Sequence, residues 1–503
     1  MAQTSPGMEP HRAQWKTRIG FLLAAAGSAV GLGNIWRFPY LAYQHGGGAF
    51  LVPYVIALLT AGIPLLILEF GLGHKMRGSA PMSFAKANPH WEWLGWWMVT
   101  FVMFGIVLYY SVVIAWCVCY LGYSLTLAWG PDPNAFFFQQ FLGATAGPHV
   151  IGDIRSPILL GLVIVWLVNW ACVFFGVEEG IERANKIFMP LLFLLLFILV
   201  GWTMTLPGAW DGIWTYLKPD FAKLAKPAVW IDAYSQVFFS LSVGFGIMIV
   251  YASYLPRKTD ISRSACQVAL MDTLVAFIAG LAVFGTLGYM MTKTGKPLTE
   301  LVQHGIGLAF VAYPQAISLL PGLSSVFGVA FFLTLIFAGI TSSMSILEAF
   351  TAAVIDKFHY PRKVVVTVLS IAGFLGGIIF ATGGGLSWLD IVDHALSHYG
   401  LFLACLLQCL VVGWLAKGLH LREHVNEHSS FPLGRGFEVL VRFVIPAVIL
   451  VLLGNDFTKD MREPYSGYPW LAIILIGRDW LLLTLVAALF VAMRPWRKPL
   501  DRQ

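Results

Sequence analysis

The chain has 503 residues, of which 58% are hydrophobic and only 12% charged, with a formal net charge of +6. A soluble domain carries about twice that charged fraction, and long apolar blocks match helices crossing a hydrocarbon core of roughly 30 Å. A single large soluble core is excluded.

In chain order, residues 1–17 are polar and predict a cytoplasmic segment without a cleavable signal. Twelve spans follow, predicted at 18–43, 48–73, 93–125, 156–175, 181–205, 229–255, 261–291, 322–355, 364–382, 388–416, 436–457 and 470–493. The segment 298–320 is apolar but short, ends near Pro314 and Pro321, and is predicted to be an extracellular helical lid. Residues 494–503 predict a cytoplasmic tail. With the N-terminus inside, the inner segments hold 22 of the 32 Lys and Arg residues, nine lie outside, and Arg37 falls within span 1. That asymmetry is the positive-inside pattern, so the net charge reports orientation and not nucleic-acid binding. The six cysteines all lie in apolar blocks with no CxxC, which predicts neither a disulfide framework nor a metal cluster.

Span 1 contains GSAVGLGN (27–34) and span 6 contains SLSVGFG (240–246). Glycines also serve close helix packing, but paired interruptions at matching places point to inverted repeats around a midplane site. The expectation is an all-α membrane protein with five-helix halves at 18–205 and 229–416 and two additional helices at 436–493. An unwound helix exposes carbonyls and amides that ions, substrate or water must satisfy. Half-helix N-termini suit a carboxylate, and carbonyls and hydroxyls suit a hard cation.

The stretch WKTRIGFLLAAAGSAVGLGNIWRFPYLAYQHGGGAFLVPY (15–54) resembles the start of the neurotransmitter:sodium symporter family. GIERANKIFMP (180–190), SQVFFSLSVGFG (235–246), YASY (251–254) and FAGITSS (337–343) match it at later spans, so the resemblance covers nearly the whole chain. It implies that helices 1 and 6 are broken within an inverted repeat. It also implies two co-transported Na⁺ ions. One would be held by the Ala29 carbonyl, Asn34, Ser240 and Asp272, with the substrate carboxylate as a further ligand. The other would be held by the carbonyls of Gly27, Val30 and Ala338 and the hydroxyls of Thr341 and Ser342, although such hydroxyls commonly bond back to their own helix. The implied substrate pocket takes Ser28, Ala29, Leu32 and Gly33 from span 1, Ile106 and Tyr110 from span 3, Phe239, Ser240, Ser242 and Phe245 from span 6, and Ser342 and Ile346 from span 8.

Gly31 stands where the family's monoamine carriers place an aspartate, which argues for a substrate that brings its own carboxylate. The wall formed by Ile106, Phe239, Phe245 and Ile346 is apolar, and a charged substrate side chain against it would stay unpaired. Small neutral, hydrophobic amino acids are therefore expected. Asp272 replaces the usual asparagine, and of the family's chloride ligands Tyr54, Gln236 and Ser240 are matched while the last position is Ala276. Two Na⁺ and a zwitterion carry +2, and an ionised Asp272 lowers this to +1, as one chloride would. Chloride-independent transport is expected, with protonation of Asp272 and coupled proton exchange as a variant.

The resemblance also implies an outer gate of Arg37 with Asp393, Asp390 being a rival, and an inner gate of Arg12 with Asp356, braced by Trp15 and Tyr254. Gly180 and Pro190 bracket a segment of span 5 expected to unwind and release an ion inward. Glu69 is expected to cap backbone near the break in span 6. The implied location is a bacterial plasma membrane with both termini cytoplasmic, a monomer sufficing for transport and a dimer remaining open. The alternatives are a proton-coupled permease of the same fold and a non-transporting Na⁺ and amino-acid sensor. An enzyme is not expected, since no nucleophile–base pair, metal cluster or phosphate loop is seen.

Overall fold

Among the described residues, ten helices in the computed structural model are long and apolar enough to cross a membrane. The structure describes residues 13–302, 305–416 and 418–500. These ten are Gly47–Met76, Pro89–Ser124, Ser156–Phe174, Val177–Thr203, Ile261–Thr294, Ser324–Phe358, Arg362–Ala381, Gly385–Leu415, Arg435–Gly467 and Trp470–Ala492, corresponding to predicted spans 2–5 and 7–12. The other two spans are pairs of half-helices. In span 1, Arg18–Ala29 and Leu32–Gln44 meet at 56°. In span 6, Pro227–Ser240 and Ile247–Ser253 are separated by the non-helical residues 241–246. Among the described residues the only extended pairing is an isolated bridge between Ile154 and Thr382.

The breaks follow from local chemistry. Val30 turns to ψ 103° and Gly31 is extended, which ends one half-helix and starts the next. In span 6 the backbone passes through positive φ at Ser242 (52°), Gly244 (80°) and Gly246 (73°). Glycine adopts that region without strain, whereas Ser242 must be held there by its surroundings. Its hydroxyl donates to the Ser28 carbonyl at 2.9 Å, so each break holds the other.

Burial grades outward from the breaks. The apolar window of span 3 is 83% buried and that of span 12 only 28%. Uniformly apolar helices with so little protein cover face lipid.

The short apolar segment predicted at 298–320 contains the helix Leu308–Ser318, with Pro314 inside it. The proline sits in the first turn after a π-turn at Leu308–Ala312, where its missing N–H is tolerated. Phe310 of this helix packs on Trp116, Tyr120 and Phe137, and Tyr313 stacks on Phe331 at 4.0 Å. Span 11 continues beyond residue 457, because its polar end is paired with span 10. His394 bonds to Asp460 at 2.7 Å and His398 to Asp456 at 2.8 Å.

Candidate binding site at the helix breaks

Three of the four residues expected at the first cation site, Asn34, Ser240 and Asp272, come together. Asn34 donates Nδ2 to Asp272 Oδ1 at 2.7 Å and to Ser240 Oγ at 3.0 Å, and Ser240 donates to Asp272 Oδ2 at 2.8 Å. The Asn34 amide orientation is determined by its partners, because Oδ1 accepts from the Gly31 N–H at 2.9 Å. A flip would set oxygen against carboxylate. One lone pair of Oδ1 thus remains for a cation, beside a carboxylate that is fully buried.

At the second site, Ser342 Oγ lies 3.2–3.3 Å from the carbonyls of Gly27, Ser28, Val30 and Ala338. One hydroxyl proton can serve only one of them. The rest form a concentrated cluster of oxygen acceptors, the donor set a hard cation takes. Gly27, Val30 and Ala338 were expected there, whereas Ser28 was expected only in the substrate pocket. Thr341 donates its hydroxyl proton to its own helix, at the Phe337 and Ala338 carbonyls, which leaves the oxygen lone pairs unused.

Between the two clusters, Tyr110 Oη accepts from the Leu32 N–H at 3.3 Å, which leaves its own proton free to donate. A Cβ on Gly31 would point into this space, 3.1 Å from Tyr110 Oη and 3.5 Å from Ser342 Oγ. A Cβ on Gly33 would press on the Phe239 ring at 3.2 Å. Gly31, Tyr110, Phe239 and Ser342 are half-buried, whereas Ala29, Leu32, Ile106, Phe245 and Ile346 are buried.

The N-terminal face is closed. Trp15 is buried, donates Nε1 to the Tyr251 carbonyl at 2.8 Å and meets the Tyr251 ring edge-on at 5.2 Å. Its backbone N–H donates to the Tyr254 carbonyl at 3.1 Å. Arg12 lies outside the described residues. Asp356 accepts from the Ser79 N–H at 2.7 Å. Tyr254 donates to Glu348 at 2.7 Å, and Glu348 is paired with Arg362. This buried Glu348–Arg362 pair was missed by sequence reasoning, although an acid inside a span was a usable signal.

On the opposite side the expected ion pair is not formed. Arg37 donates to Ser235 at 3.2 Å and lies over the Phe239 ring at 5.3 Å. Asp393 accepts from Tyr109 at 2.5 Å and Ser397 at 2.8 Å, and Asp390 accepts from Tyr465 at 3.0 Å.

Glu69 is fully buried and accepts from the Gly244 N–H at 2.6 Å, capping the break in span 6. Gly180 lies in a π-turn at Val177–Glu182, where a Cβ would come within 2.0 Å of the Cys172 carbonyl, so it also serves close packing of spans 4 and 5. Pro190 lies inside the helix Arg183–Thr203. Tyr54 Oη and both polar atoms of Gln236 are buried without a hydrogen-bond partner.

The chain matches the model of the sodium:neurotransmitter symporter family over residues 12–134 and 131–498. It is 46% identical over 457 residues to an uncharacterized sodium-dependent transporter of Methanocaldococcus jannaschii, covering 91% of this chain and 93% of the relative. It is 30% identical over 507 residues to the sodium- and chloride-dependent GABA transporter 2 of Rattus norvegicus, covering 91% of this chain and 83% of the relative.

Proposed function

This chain belongs to the sodium:neurotransmitter symporter family, a family of sodium-dependent transporters and not enzymes, and we propose that it couples entry of two Na⁺ ions to uptake of small neutral, hydrophobic amino acids. The observation that carries the reading is the pair of oxygen clusters at the two breaks, one with the Asp272 carboxylate and one with carbonyls around Ser342. A cation at each would be held by groups that otherwise lack enough protons to satisfy them. A zwitterion between them would set its carboxylate toward Tyr110 and the amides of the Leu32–Gln44 half-helix, whose N-terminus favours negative charge. Its side chain would lie against Ile106, Phe239, Phe245 and Ile346. The repeats at 18–205 and 229–416 would rock about this centre, with Gly180–Pro190 loosening to release the second ion.

Chloride-independent transport is part of the proposal, because Asp272 can supply the negative charge at the first site. The opposite reading draws on the unpartnered Tyr54 hydroxyl and Gln236 amide, donors that would suit a chloride. Uptake in chloride-free gluconate separates them: retained uptake supports the carboxylate role, and a fall to background supports chloride. The substrate is tested by labelled uptake of the twenty amino acids into proteoliposomes, where strong uptake of charged ones alone would refute the pocket assignment.

A further inference from the structure

Span 5 presses one polar side chain against Gly27, whose carbonyl belongs to the second oxygen cluster. Asn185 is fully buried, and its Nδ2 donates to the Ile181 carbonyl at 2.9 Å. That bond fixes the amide, since a flip would oppose two oxygens. Oδ1 then points away from the helix and has no hydrogen-bond partner. It rests on Gly27, where a Cβ would come within 2.5 Å of Asn185 Oδ1 and 3.1 Å of Thr341 Cβ. An acceptor left unpaired in the interior is destabilising, so its position next to a backbone carbonyl cluster calls for a partner.

Glu182 marks the side of the cluster toward the N-terminal face, and two helix irregularities flank Asn185 along span 5. Glu182, one turn before Asn185, accepts from Thr17 at 2.8 Å and from the Lys16 N–H at 2.7 Å, fastening span 5 to the start of span 1. The π-turn at Val177–Glu182 precedes it, and Pro190 follows, removing the helical bond to the Lys186 carbonyl. Asn185 therefore lies in the weakest stretch of span 5, between the carbonyl cluster and the closed face.

We propose that Asn185 is a transfer ligand: its Oδ1 replaces part of the coordination a Na⁺ ion loses as it leaves the second cluster toward the N-terminal face. This rests on the sodium-symport reading above. A neutral amide suits the role, because it offers an oxygen without the charge that would hold the ion in place.

The test uses the full chain and radiosodium. Equilibrium binding is measured on purified protein, and exchange is measured across proteoliposomes holding the twenty amino acids on both sides. Asn185→Leu, of similar size, is expected to bind Na⁺ within about twofold of wild type but to exchange it about tenfold more slowly. Asn185→Asp is expected to bind Na⁺ several-fold more tightly and also to exchange it slowly. Should Asn185→Leu fail to fold, Asn185→Ser takes its place, with binding kept and exchange reduced. Wild-type exchange rates in the folded neutral variant, or a loss of binding that matches the loss of exchange, would overturn the proposal, as would unchanged affinity in Asn185→Asp. Wild-type protein that neither binds nor exchanges Na⁺ would overturn the symport reading itself, and this proposal with it.

Discussion

Asn34 and Asp272, one beside the break in span 1 and the other midway along span 7, are joined by a buried hydrogen bond of 2.7 Å from amide to carboxylate. The bond ties the second half of the broken span 1 to an unbroken helix and sets the Asp272 carboxyl group at the proposed first cation site. Hydrogen bonds to charged groups contribute roughly 1.5–3 kcal/mol. Asp272→Asn removes the charge and sets amide against amide. The Na⁺ concentration for half-maximal uptake is expected to rise about tenfold or more, measured as uptake against Na⁺ at constant ionic strength. An unchanged Na⁺ dependence would remove Asp272 from the site.

Glu69 shows a second dependence of a break on a carboxyl group. Its bond to the Gly244 N–H satisfies a donor that the unwound backbone of span 6 would otherwise leave unpaired. Glu69→Ala is expected to lower the thermal unfolding midpoint by several degrees, at a cost of about 1–3 kcal/mol. Glu69→Gln keeps an acceptor and is expected to lose much less. Equal losses in both variants, read from melting of the purified protein, would show that the acceptor is not what matters.

The two breaks could be read from the sequence because glycine clusters inside apolar runs leave a visible mark on helix propensity. Asp272 and Glu69 were legible for a related reason, since an acid within a span needs a partner to stay there. The pairing of Arg37 was not legible, because Asp393 prefers the nearby hydroxyls of Tyr109 and Ser397 in this conformation. Nor was the attachment of span 11 to span 10. His394 and Asp460 are distant in sequence, and only the packing of the two helices brings them within 2.7 Å.

The Trp15 side chain is held at the N-terminal face by its hydrogen bond to the Tyr251 carbonyl and by edge-on ring contacts with Tyr251 and Tyr254. Trp15→Ala removes both, a loss of about 3 kcal/mol or more by analogy with other buried aromatic truncations. In a Cys266→Ser background, Ser253→Cys is expected to react with an impermeant maleimide on the order of tenfold faster when Trp15 is also alanine. Identical labelling rates with and without Trp15 would contradict its role as a plug.

His424 lies outside the spans, on the short helix Leu421–Asn426. His74 Nε2 faces the Pro256 carbonyl at 2.9 Å and must donate, so His74 Nδ1 accepts from His424 Nε2 at 2.9 Å. Burial first, then the nearby His74 and Lys75, push His424 down to about 4. A histidine depressed in the folded state contributes stability that is complete above the unfolded value of about 6.5 and is lost as pH falls from there through about 4. Hydrogen exchange of residues 421–426 is expected to accelerate over that window relative to the intrinsic rate. In His424→Gln the excess should disappear, and its persistence would assign the effect to another group.

The central claim is that a sodium gradient drives amino-acid accumulation through the two oxygen clusters. Its most direct test is uptake of labelled neutral amino acids into proteoliposomes under an inward Na⁺ gradient, with K⁺ replacing Na⁺ in the control. Accumulation above the equilibrium level in Na⁺ alone, abolished by a sodium ionophore, is the expected result. Equal uptake in both media would contradict it.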